Sequence, residues 1–81
     1  MTISVRFFAS LRDVVGQSEL AVSMPEGSTA EDLWRHLAGQ HPALAPRRQS
    51  LMVAVNRCYA RFETPLPAKA EVVFIPPVSG G

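Results

Sequence analysis

Apolar and polar residues alternate from the first positions of the chain. Ile3, Val5 and Phe7 fall on one side of an extended segment and Ser4 and Arg6 on the other, which predicts a strand over residues 2–9. Residues 10–15 read as a short helical turn closed by Gly16 in a left-handed conformation. A period of two resumes at Glu19-Leu20-Ala21-Val22-Ser23 and predicts a second strand that returns beside the first. Ser28-Thr29-Ala30-Glu31 has the spacing of a capping box, with Ser28 and Glu31 satisfying the first free N–H groups of a helix. That helix should run to about Ala38, because Ala30, Leu33, Trp34, Leu37 and Ala38 form one stripe at spacings of three and four, and Gly39 and Pro42 should stop it.

Residues 41–50 contain two prolines and Arg47-Arg48, and read as a loop. Leu51 to Val55 is a strand apolar on both faces, Asn56-Arg57 is a turn, and Cys58-Tyr59-Ala60 returns as a short strand. A second turn, Thr64-Pro65-Leu66-Pro67, leaves Glu71 to Ile75 as the last strand. A helix with a single greasy stripe needs a sheet to cover, so the order implies an α+β domain of two layers. The most continuously apolar strands, the first and the last, should lie side by side at the centre. A β-grasp architecture satisfies this order: a mixed sheet of four to five strands on one main helix. Residues 1–75 then form the domain and residues 76–81 a flexible tail.

Composition removes several classes of function. The chain has 81 residues, 47% of them hydrophobic, which is ordinary for one small globular domain. A net charge of +1 with interspersed signs, and six aromatics that do not interleave with a basic stripe, speak against nucleic-acid binding. Cys58 is the one cysteine, so no internal disulfide or zinc cluster is expected, and a lone thiol fits a reducing, cytoplasmic setting. No apolar run approaches the length of a bilayer span, and the first strand is not a signal-peptide block.

Candidate catalytic groups are sparse. Glu31 and Asp32 sit where acids favour the positive end of a helix dipole. His36 and His41, five apart across a helix end, are not spaced to share a metal, and no metal is expected. Cys58 reads as a small buried hydrophobe rather than a nucleophile. Attention therefore moves to the C-terminus. A Gly80-Gly81 end, lacking Cβ atoms, fits a slot too narrow for other residues, and its carboxylate is the candidate working group. Pro76 and Pro77 fix φ and lack N–H donors, so they should end sheet pairing and aim the tail outward. In the last strand Val72 and Phe74 point one way and Val73 and Ile75 the other. Two readings stand open for the second face: an exposed patch around Phe8, Val73 or Val72, and Ile75 that meets a partner protein, or a face covered by residues 41–50.

The ending Glu71-Val72-Val73-Phe74-Ile75-Pro76-Pro77-Val78-Ser79-Gly80-Gly81 resembles the signature of the small subunit of molybdopterin synthase, the MoaD type. Val5-Arg6-Phe7-Phe8-Ala9-Ser10-Leu11-Arg12-Asp13-Val14-Val15-Gly16 and Val53-Ala54-Val55-Asn56 are similar to that family's other recurrent stretches, so the resemblance covers essentially the whole chain. One departure is Ala68-Lys69-Ala70, where relatives usually carry a Gly-Asp turn.

The resemblance implies a ubiquitin-like β-grasp fold and a sulfur carrier without an autonomous active site. An E1-like adenylating enzyme would use ATP to convert the Gly81 carboxylate to an acyl-adenylate. A sulfur donor of the cysteine-desulfurase or rhodanese type would then leave a thiocarboxylate. The tail of Pro76, Pro77, Val78, Ser79 and Gly80 would insert into the synthase large subunit, where Gly81 delivers sulfur to cyclic pyranopterin monophosphate for the molybdopterin dithiolene. The chain itself would hold no cofactor. A heterotetramer with two central large subunits is implied, and Phe7 or Phe8 with Ile75 are expected at the contact. Alternatives on the same fold are a thiamine-pathway sulfur carrier, a ubiquitin-like protein modifier joined to lysines, and an interaction module with no terminal chemistry.

Overall fold

A computed structural model describes residues 1–77. Five strands, β1 (Thr2–Phe7), β2 (Glu19–Ser23), β3 (Met52–Val55), β4 (Cys58–Ala60) and β5 (Glu71–Ile75), form one sheet in the order β2-β1-β5-β3-β4. The first and last strands are central neighbours and parallel, with Val5 opposite Val72 and Phe7 opposite Phe74. The remaining pairs are antiparallel. A short helix, α1 (Ala9–Val15), links β1 to β2 and ends on Gly16 at φ 83°, while the main helix, α2 (Ala30–Gln40), covers the sheet. The α+β expectation, the five strands and the β1–β5 pairing all hold.

Strand alternation builds the core directly. Ile3, Val5 and Phe7 from β1, Val53 from β3, and Val72 and Phe74 from β5 are buried against Ala30, Leu33, Trp34 and Leu37 of α2. Trp34 meets Phe74 edge-on with ring centroids 5.0 Å apart, and Phe62 stacks on Phe74 at 6.1 Å. Each aromatic pair adds roughly 0.5–1.5 kcal/mol beyond the area it buries. The Arg48 guanidinium closes this stack from outside, 3.4 Å from the Phe62 centroid, and donates to Glu31 at 2.7 Å.

Three local expectations are corrected. The capping box sits one residue later: Asp32 N–H donates to Thr29 Oγ1 at 3.1 Å, and Thr29 N–H donates to the Asp32 carboxylate at 2.9 Å. Ser28 is instead buried and donates to Pro25 O at 2.7 Å, anchoring the preceding turn. The helix passes through Gly39 to Gln40, since one glycine weakens a helix without breaking it, and Pro42 ends it. Residues Pro42–Ser50 are a 3-10 helix rather than a loop. Pro42 and Pro46 remove α-helical donors, and the tighter repeat suits a segment whose own apolar anchor is Leu44. Leu44 enters the core beside α2, so this segment lies on the helix side of the sheet and leaves the other face open.

Two turns use non-glycine residues in left-handed conformations. Asn56 and Arg57 (φ 51° and 70°) make the β3–β4 hairpin, with Asn56 Oδ1 accepting from Glu71 N–H at 2.9 Å. Lys69 adopts φ 60° just before β5, at the place where the resemblance leads one to expect glycine. Lys69→Gly should therefore stabilise the fold by up to about 1 kcal/mol, measured as a shift in the urea midpoint without a change in slope.

Thr29→Ala should cost about 1 kcal/mol through the lost cap. The backbone hydrogen bond from Thr29, reinforced by its side chain, holds the Asp32 carboxyl below its ordinary value. The stability this contributes is complete above the unfolded-state pKa of about 3.9 and is lost as pH falls through the lower folded value. Asp32→Asn should thus unfold more easily than the parent at neutral pH, the difference closing as the pH falls through the lowered folded value.

Candidate functional site

The root of the C-terminal tail is the end of a central strand. β5 is bracketed by β1 on one side and β3 on the other, and its final residue, Ile75, pairs with Met52. Pro76 and Pro77 follow at once, half-buried and exposed respectively. Neither has an N–H to give, so pairing stops there and the chain leaves the sheet with restricted φ. Val78, Ser79, Gly80 and Gly81 lie outside the described residues.

The open sheet face beside this root is apolar. Phe8, Met52 and Tyr59 are 49%, 54% and 73% exposed. Val73, Ile75 and Ala54 fill the space between them half-buried, because alternation sends Val72, Phe74 and Val53 to the core. Cross-strand register joins the patch: Met52 lies opposite Ile75, and Ala54 lies between Val73 on β5 and Tyr59 on β4. Charged pairs rim it. Arg6 donates to Glu19 at 2.9 Å, a hydrogen bond that raises the Arg6 pKa, and Arg57 stands 3.9 Å from Glu71. Unpartnered apolar side chains in a row on a central sheet face, with a polar rim, are the anatomy of a protein docking surface.

The expected interface residues divide. Phe8 and Ile75 lie on the open face. Phe7 does not: it is 1% exposed and packed in the core, because the period of two that places Phe8 outward sends its neighbour inward. Met52 and Tyr59 were missed, although the doubly apolar run 51–55 already carried a signal for Met52. Tyr59 required the Asn56-Arg57 hairpin register. Cys58 is exposed at the sheet edge, not buried. It pairs with Val55, so alternation puts it on the face opposite Tyr59.

The remaining candidates have structural roles. Glu31 binds Arg48 at 2.7 Å and stands 3.9 Å from Arg35, and Asp32 caps α2. Among the described residues no group of three or more His, Cys, Asp or Glu is placed to hold a metal. No described helix is long and apolar enough to cross a membrane.

A five-stranded mixed sheet on one principal helix, with parallel central terminal strands and a tail leaving the last of them, defines a ubiquitin-like β-grasp protein. Residues 5–81 match the ThiS family, and the chain belongs to it. It is 42% identical to the molybdopterin synthase sulfur carrier subunit of Escherichia coli, covering 98% of this chain and 99% of that protein. It is 36% identical to the subunit of that name in Chlamydomonas reinhardtii, over 100% of both. Among solved structures it is similar to SAMP1 from Haloferax volcanii, at a TM-score of 0.89 and 29% identity with both chains fully covered.

Phe7 and Ile75 separate core from surface experimentally. Phe7→Ala should cost about 3–5 kcal/mol, whereas Ile75→Lys should cost about 1 kcal/mol or less, both read from chemical denaturation.

Proposed function

We propose that this chain is the sulfur-carrying small subunit of a molybdopterin synthase. The observation that carries the reading is end-to-end similarity to proteins of that name, joined to a tail that leaves the central strand beside an exposed apolar face. Those relatives are named as subunits of a synthase, so the apolar face is assigned to a larger catalytic subunit. Phe8, Met52, Tyr59 and Ile75 make that contact. Two such large subunits at the centre, each with one carrier, give a heterotetramer.

The chemistry resides in Gly81. An adenylating enzyme joins its carboxylate to the α-phosphorus of ATP and releases pyrophosphate, turning a poor electrophile into a mixed anhydride. The persulfide of a sulfur donor of the cysteine-desulfurase or rhodanese class displaces AMP to form an acyl disulfide, and a thiol of the donor machinery cleaves it, leaving a thiocarboxylate and a disulfide. Four residues beyond Pro77 span at most about 14 Å, which sets how deep the large subunit's pocket lies from the docking face. Gly80 and Gly81 pass a narrow channel, and Val78 is the tail's apolar anchor within it. Pro76 and Pro77 lower the entropy lost when the tail is ordered. The docked domain then turns sulfur delivery to cyclic pyranopterin monophosphate into an intramolecular event.

A second reading draws on the similarity to SAMP1, whose close counterpart from the same organism is described as a small archaeal modifier protein. As a modifier, the chain would be joined through Gly81 to lysine amines. Intact mass spectrometry after incubation with ATP, an adenylating enzyme and a sulfur donor separates the two. Replacement of one terminal oxygen by sulfur is expected; an unchanged mass together with lysine conjugates rejects the carrier reading. Adding one residue after Gly81 should abolish sulfur transfer while leaving the unfolding midpoint unchanged. Ile75→Lys should weaken binding to the large subunit more than it weakens folding.

A further inference from the structure

A cleft of about 140 Å³ opens at the tail root, walled by Leu11, Leu51, Pro76 and Pro77 and entered by Ser10, Ser50 and Arg47. By liquid-water volume it holds about four to five waters, enough for the carboxylate end of one acidic side chain. Arg6, Arg35, Arg48, Arg57 and Arg61 each stand within 4.0 Å of a carboxylate. Arg12 and Arg47 have no such pair among the described residues, and of the two Arg12 is exposed whereas Arg47 is half-buried. Its neighbour Arg48 is committed to Glu31 and to the face of Phe62, so the two adjacent guanidiniums are used differently.

We propose that Arg47 is a specificity-determining contact that receives an acidic side chain of the synthase large subunit as the tail inserts. The inference rests on the carrier reading above. Any protein that encloses Pro76 and Pro77 covers this cleft, whose Pro76 wall directly follows Ile75 of the apolar face. Covering it removes water from a guanidinium with apolar walls, and a cation buried without an anion is costly, so the partner must bring a negative group. The anion is assigned to a protein side chain because the cleft lies at the tail root, four residues before the terminal Gly81. The planar fork of arginine matches a carboxylate, and Ser10 lines the same cleft, whereas the Ser50 hydroxyl is committed to Arg47 O at 3.2 Å.

The test is titration calorimetry of the full-length chain against the purified large subunit at low and high salt. Arg47→Ala should weaken binding about tenfold and Arg47→Glu about a hundredfold, with Arg47→Lys between the parent and alanine. The loss should lie mostly in the dissociation rate. Lys69→Glu, at the opposite end of β5, reverses a charge without touching the cleft and should leave affinity unchanged. Circular dichroism and urea midpoints on the same variants confirm folding, and Arg47→Gln serves if Arg47→Glu is unfolded. Parent-like affinity for the Arg47 variants, while Ile75→Lys still weakens binding, overturns the assignment of Arg47 alone. Failure of the parent chain to bind the large subunit at all rejects the carrier reading, and the Arg47 contact with it.

Discussion

Parallel pairing of β1 with β5 is the constraint on which the molecule depends. It joins residues about seventy positions apart and places the last strand between two neighbours, with Phe74 in the middle of the core. Parallel neighbours require a long crossover, and here nearly the whole chain supplies it. As a result, the tail emerges from the best-supported strand rather than from a frayed edge. The chain beyond β5 therefore has a defined origin and direction at Ile75. On the proposed carrier reading, a fixed root limits the entropy lost on docking.

The two faces of the sheet then divide the labour. The inner face, with Ile3, Val5, Phe7, Val53, Val72 and Phe74, supplies the burial that holds an 81-residue domain together. The outer face carries Phe8, Met52, Tyr59 and Ile75, which add little to folding and remain available for association. Because side chains alternate strictly, adjacent residues in one strand belong to different tasks. Phe7 at the end of β1 and Phe8, which follows it in extended conformation, extend the pattern past the strand, one structural and one free to bind. The 3-10 helix of residues 42–50 keeps this division intact by seating Leu44 beside α2 rather than across the open face, and it also brings Arg47 to the tail root.

Much of the fold was legible from local pattern. The period of two located β1 and β2, apolar runs bounded by turns located β3 and β5, and the stripe from Ala30 to Leu37 located α2. Gly16 marked the end of α1, and Asn56-Arg57 the tight hairpin. Errors arose where two residues offered the same chemistry: Ser28 and Thr29 both have a capping hydroxyl, and only the burial of Ser28 against Pro25 selects Thr29. The 3-10 helix was hidden because its prolines read as breakers, although they exclude only the α-helical hydrogen-bond pattern.

The sequence by itself determined the elements, the buried stripe of α2 and the Pro76-Pro77 break, because alternation, capping and proline geometry act between residues close along the chain. Only the tertiary structure decided which sheet face stays open, that Phe8 rather than Phe7 lies on it, and that Met52 and Tyr59 join Ile75 there. Those outcomes depend on register between distant strands and on where residues 42–50 pack, and long-range pairing is set by the whole core rather than by any one segment.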